Sequence, residues 1–217
     1  MLAVTAVVTV LYAVGLLQLG VPPGLGASAS DVLEWFVDNA VPVKWFVWTI
    51  TVATPFLAIG FALLRRLLPP IYRDVFLIGA VLYLAESAIT TWFWGGLATL
   101  SAHTRSQPVR QLLDILIFFG PVLTGATMTM MAPVSWLALR AQNGLPRWLG
   151  ILGAVAFIEQ AIETITIFGS EGFTEPGGTM NMQLGAALTL AWLLGFALWG
   201  GLRGRFENSP VDAPSSP

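Results

Sequence analysis

The chain has 217 residues, of which 56% are hydrophobic and 10% charged, and its mean hydropathy is +0.77. Soluble domains carry nearer about a quarter of charged residues, so this composition points to a polytopic membrane protein with no separate soluble domain. A net charge of -2 without a basic run argues against nucleic acid as a partner, the absence of cysteine excludes disulfides and thiolate chemistry, and a lone histidine, His103, excludes multi-histidine zinc and haem sites.

Along the chain, six apolar runs are long enough to cross the hydrocarbon core of a bilayer, which takes about 20 residues of helix. The first, Leu2–Leu19, precedes Ala27-Ser28-Ala29, a small-residue pattern of the kind signal peptidases cut. It lacks a basic n-region and exceeds an ordinary h-region in length, so a retained helix is expected. Ser28 and Asp31 then have the spacing of a capping box, and Val32, Trp35, Phe36 and Asn39 follow helical spacing. They predict a short outer-surface helix near 30–39, packed as a lid over the bundle. The second and third runs are Val43–Leu64, which holds Pro55, and Val75–Leu97. His103 follows as a solvated loop residue. The fourth run, Gln111–Leu139, is too long for one straight crossing, and Pro121 and Pro133 predict a kink, a tilt or a projecting end. The fifth and sixth are Trp148–Phe168 and Met182–Leu202, and the polar, proline-rich tail 206–217 is expected to be disordered.

With the N-terminus in the cytoplasm, Arg65, Arg66, Arg73, Arg140, Arg147, Arg203 and Arg205 fall inside, against Lys44, Arg105 and Arg110 outside. That bias places both termini in the cytoplasm. The expected fold is all-α: a multi-pass, plasma-membrane bundle of six transmembrane helices forming one domain, 1–205, with the lipid bilayer around it. Trp45, Trp48, Trp136, Trp148 and Trp199 lie near span ends, as an aromatic belt would.

Three acids lie at depth: Glu86 in the third run, and Glu159 and Glu163 in the fifth. An acid at the centre of a bilayer costs roughly 2.5–3.5 kcal/mol, so three facing lipid as anions would cost on the order of 8–10 kcal/mol. Helical geometry instead turns them inward. Glu159 and Glu163 are about 40° apart, with Gly153, Ala156, Gln160, Thr164 and Thr166 on or beside their arc, while Ile151, Val155, Ile158, Ile162 and Ile165 take the other side. In the third run Gly79, Tyr83, Glu86, Ser87 and Thr90 share one arc, away from Ile78, Leu82, Ile89 and Phe93. In the fourth, Asp114, Pro121, Gly125, Met128 and Ala132 are expected to line a third face. Glu86, Glu159, Glu163, Gln160, Thr90 and Tyr83 are therefore the candidate proton or ligand site. Asp114, spaced to pair with Arg110, and Trp94 are the candidate cavity rim. No lysine or arginine lies between Arg147 and Arg203, so the acids must take up a proton or bind something positive from outside the chain. Hydroxyls of Ser87, Thr90, Thr124 and Thr164 are the expected hydrogen-bond partners. No metal site and no cofactor are expected.

Leu145-Pro146-Arg147-Trp148-Leu149-Gly150, after the Leu-rich end of the fourth run, resembles the turn that opens the fifth span in domain-of-unknown-function family 4386. These are small bacterial six-span membrane proteins. Tyr83-Leu84-Ala85-Glu86-Ser87-Ala88-Ile89 is similar to the acid-bearing third span of the same family. The resemblance covers the middle two-thirds of the chain and implies six helices and no particular activity. On physical grounds, Pro146 is expected to start a helix that Arg147 and Trp148 anchor at the interface.

Three functions fit this sequence, in order. The first is a membrane protein that binds or moves a proton, a cation or an amphipathic amine through an acidic cavity; its ligand would be a small cation or a lipid. The second is a structural or accessory subunit with the acids as interhelical hydrogen bonds, which implies a second copy or another membrane protein as partner. The third is an intramembrane enzyme using two carboxylates as acid and base on a lipid. No nucleophile, metal site or motif supports it, so it ranks last.

Overall fold

The computed structural model describes residues 2–19 and 22–207, and every regular element among them is helical. In chain order these are α1 (Leu2–Leu19), α2 (Ala29–Asp38), α3 (Ala40–Leu64), α4 (Pro70–Leu100), α5 (Ser106–Ile117), α6 (Phe119–Leu139), α7 (Arg147–Glu163) and α8 (Ala186–Glu207). Five helical stretches are long and apolar enough to cross a membrane: Ala40–Leu67, Pro70–Leu100, Ser106–Leu139, Arg147–Phe168 and Gln183–Arg203. Their length and composition make this an integral membrane protein. The sixth expected span, α1, is helical and apolar, but its 18 residues reach only about 27 Å at a rise of about 1.5 Å per residue. It lies along α3 and touches α8. The tail expected from Phe206 begins later, because α8 continues through Glu207; its remainder, 208–217, lies outside the described residues.

The fourth run is two helices. Pro121 has no N–H to give the carbonyl of Ile117, and its ring crowds that group, so α5 ends at Ile117 and α6 starts at Phe119. The 21 residues of α6 span about 31 Å alone, while α5 packs on α2. Between them Val32, Phe36, Val109 and Leu113 are wholly buried. The capping box of α2 forms as its spacing implies: Asp31 N donates to Ser28 Oγ and Ser28 N to Asp31 Oδ2, both at 3.2 Å. The face expected for the fourth run is also corrected. Asp114 pairs with Arg110 and is partly exposed, so it does not mark the buried side, which Leu113 and Leu116 carry toward α6. Gly125 is exposed and Met128 and Ala132 are only half-buried; Thr124, Thr127, Met130, Met131, Val134 and Ser135 point inward instead.

The bundle has two ends. At one, Asn143 Nδ2 donates to the carbonyl of Leu67 and Arg203 Nη1 to that of Asn143 (2.7 Å), so the turns after α3 and α6 meet the end of α8. Ala141, Asn143 and Gly144 take positive φ there, which closes the turn before Pro146; that proline caps α7 rather than occupying its first position. At the other end lie α2, α5 and the segments 22–28 and 169–179. Two apolar clusters fill the interior. The first joins Phe61, Phe76, Met130, Trp192 and Phe196, with ring centroids 5.9–6.0 Å apart for Phe61–Phe76, Phe76–Phe196 and Trp192–Phe196. The second gathers Trp94, Phe36, Leu97 and Leu113 under α2 and α5. Along α4 the first cluster takes Phe76, Ala80 and Tyr83 and the second Trp94, Leu97 and Ala98, leaving Glu86–Thr91 at the level between. Close helix approach comes from small residues: a Cβ on Gly79 would sit 2.6 Å from Met130 N, and one on Gly150 2.6 Å from Leu139 N.

Candidate functional site

The inward arc of α7 carries Gly153, Ala156, Glu159, Gln160 and Glu163, all buried, and the tightened turn that follows (Thr164–Phe168) adds Thr166. Ile151, Val155, Ile158, Ile162 and Ile165 on the opposite side are each at least half exposed. The 3.6-residue period thus separates a polar interior stripe from an aliphatic exterior one. Thr164 departs from the expected arc: it is partly exposed and donates to the carbonyl of Ala161.

Gln160 is the hub of the stripe. Its Nε2 donates to Glu159 Oε2 (3.0 Å) and to Glu163 Oε2 (2.8 Å), and its Oε1 accepts from Thr127 Oγ1 on α6. Asn181 Nδ2 donates to the other oxygen of Glu163. An amide nitrogen has two protons to give, and Gln160 spends both on carboxylates. Glu163 is only 2% exposed, yet both its oxygens accept N–H donors. Asn181 comes from a π-helical segment, Met180–Gly185, that leads into α8; wide turns of this kind are frequent at functional sites. Two glycines make the room. A Cβ on Gly185 would strike the carboxylate of Glu163 and sit 2.8 Å from Gln160 Nε2, and one on Gly120 would strike the Asn181 amide.

Glu163 and Gln160 face a cavity of about 220 Å³. Tyr83, Thr90 and Trp94 of α4 form one wall, and Tyr12 of α1, Phe46 of α3 and Thr127 of α6 contribute others. Trp94 is held by Phe36 (5.7 Å) and Phe46 (6.2 Å). Pro22, Pro23 and Gly24 roof the cavity. Arg110 secures that roof: its guanidinium donates to the carbonyls of Leu25 (2.5 Å), Ala27 (2.6 Å) and Gly24 (3.3 Å) and also pairs with Asp114 at 2.8 Å.

Of the residues singled out from the sequence, Tyr83, Thr90, Trp94, Gln160 and Glu163 meet around this cavity. Glu159 stands behind it, bonded to Gln160, with its Oε1 buried and without a hydrogen bond. Glu86 lies off the cavity, half-buried, its Oε2 also lacking a hydrogen bond, and Thr90 bonds its backbone carbonyl (3.0 Å) rather than a carboxylate. Asp114 lies in α5 beside Arg110. Thr124 donates to the carbonyl of Pro121, so the amides of Gln160 and Asn181, rather than the expected hydroxyls, serve the carboxylates. Sequence reasoning missed Asn181, Thr127, Tyr12 and the two glycines. Asn181 had a signal, since it is an amide at the mouth of an apolar run.

Among the described residues neither ion pair, Arg73–Asp74 or Arg110–Asp114, involves Glu86, Glu159 or Glu163. Two buried carboxylates sharing one amide, beside a cavity that Tyr83 and Trp94 help to wall, suit a positive group. The carboxylate supplies charge, and the ring faces attract an ammonium by their quadrupoles. No protein-family model, curated protein or solved structure matches the chain.

Proposed function

We propose that this chain is a plasma-membrane protein of six transmembrane helices, both termini cytoplasmic, that takes up a proton or an amphipathic amine at Glu163. The arginines support the orientation: Arg65, Arg66, Arg140, Arg147 and Arg203 all belong to the end where Asn143 bridges two turns. The span count is supported by α1, an apolar helix lying along α3 beside the five longer stretches. The observation that carries the ligand reading is Glu163 itself, buried, faced by a cavity and given hydrogen bonds but no cation.

Calorimetric titration of the purified protein with hexylammonium tests it. Wild type is expected to bind, and Glu163→Gln, which keeps the shape and removes the charge, to bind at least about tenfold more weakly, about 1.4 kcal/mol. Equal binding by both would overturn the reading. An accessory role is favoured by one fact: Asn181 and Thr127 tie α7 to its neighbours through this cluster. In that case wild type does not respond to the amine, and Glu163→Gln only lowers the unfolding temperature.

A further inference from the structure

A second cavity, of about 240 Å³, lies on the far side of Tyr83. Its walls are apolar: Val4 and Val8 of α1, Leu57 and Gly60 of α3, Leu193 and Ala197 of α8. Thr9, which also borders it, spends its hydroxyl on the carbonyl of Thr5 in its own helix (2.8 Å). Residues 4–9 of α1 and 56–64 of α3 belong to the halves of their helices nearer the arginine-rich end, whereas the acidic cavity takes Leu19 from α1 and Phe46 from α3, in the other halves. Tyr12, Tyr83 and Leu190 border both spaces. The phenols of Tyr12 and Tyr83 face each other where the two spaces meet, so this pair forms the partition.

We infer that the two cavities are the two halves of one site for a single-chain amphiphile, its ammonium head against Glu163 and its hydrocarbon chain in the groove between α1, α3 and α8. This rests on the reading of Glu163 as a cation acceptor and adds the identity of the rest of the ligand. Three observations lead to it. The spaces share walls, so a molecule longer than either crosses from one to the other once Tyr12 and Tyr83 part. Together they fall within the range of about 300–1,000 Å³ common for small-molecule sites, which neither reaches alone. Their chemistry divides as an amphiphile's does: carboxylate and amides at one end, and at the other walls of hydrocarbon, aliphatic side chains with Phe56 and Phe61, carrying no charged or amide group. Phenol hydroxyls at the junction can turn from each other to the head group as it passes, so no polar atom is stranded during entry.

The test is photolabelling with dodecylammonium carrying a diazirine at the end of its chain, the purified protein in detergent being digested and its labelled residues read by mass spectrometry. Label is expected on 4–13 and 56–64, reduced at least about tenfold in Glu163→Gln. Gly60→Leu is expected to remove dodecylammonium labelling and leave hexylammonium binding intact; an added Cβ there meets only Val4 Cγ1 at 3.7 Å, so the substitution fills the groove without breaking the helix pair. Tyr12→Phe, which unties the partition, is expected to label faster. If hexylammonium binds but the diazirine marks exposed residues such as Ile151 and Val155 as strongly as the groove, the two-part site is wrong and the acceptor role of Glu163 stands. If neither amine responds to Glu163→Gln, both readings fall.

Discussion

A carboxylate in this bundle owes its place to what is missing from two neighbouring residues. Gly185 and Gly120 leave the volumes that Glu163 and Asn181 occupy. Gly185→Ala should therefore displace the acid from Gln160 and lower stability by about 1–3 kcal/mol, the usual cost of overpacking, measured as thermal unfolding in detergent; an unchanged midpoint would show that the carboxylate has room to move. Gly120→Ala should act only through Asn181. It should be destabilising in the wild type and nearly neutral beside Asn181→Ala, with a coupling of about 1 kcal/mol or more in a double-mutant cycle, and simple additivity would contradict this. These contacts also mark what the sequence hid. The spacing of Glu159, Gln160 and Glu163 announces one polar arc because a helix repeats every 3.6 residues. Nothing in that period says that Asn181, eighteen positions after Glu163, will meet it. The two exterior faces of α4 and α7 were legible for the same reason the donors were not: exposure follows local periodicity, and donor pairing follows tertiary approach.

At the scale of elements, the instructive case is the boundary between α5 and α6. Its cause is Pro121, and the inner face of α6 is rotated from the one that Asp114 suggests, because this acid pairs with Arg110 and does not mark the buried side. A proline four residues after Ile117 interrupts the hydrogen-bond ladder, while the buried side runs on from Leu113 and Leu116 through Thr124, Thr127 and Met131. α5 then serves a different purpose, presenting Arg110 to the segment between α1 and α2. Hydrogen exchange should reveal this. The Ala27 amide, bonded to the carbonyl of Gly24 at 3.2 Å, should exchange at least about tenfold faster in Arg110→Ala, consistent with losing hydrogen bonds from a charged donor at about 1.5 kcal/mol or more. Arg110→Lys should not restore it, because an ammonium cannot fork across three carbonyls. Rescue by lysine would mean that charge rather than geometry holds the roof.

For the whole molecule, the same lack of cysteine that excludes thiol chemistry provides a background for mapping sidedness. His103 and Gln142 are exposed, in turns at opposite ends of the bundle. His103→Cys and Gln142→Cys in intact cells should react with a membrane-impermeant maleimide only at 103, and labelling at both or only at 142 would contradict the proposed orientation. The Arg110 grip also has a meaning in time. The chain is made from its N-terminus, and 83 residues separate Ala27 from the arginine that holds it. At about 5–20 residues per second, roughly 4–17 s of synthesis pass before that clasp exists. Throughout that interval Ala27-Ser28-Ala29, a stretch of the kind peptidases cut, stands without its latch. The roof over the acidic cavity is thus closed only after α5 has been made.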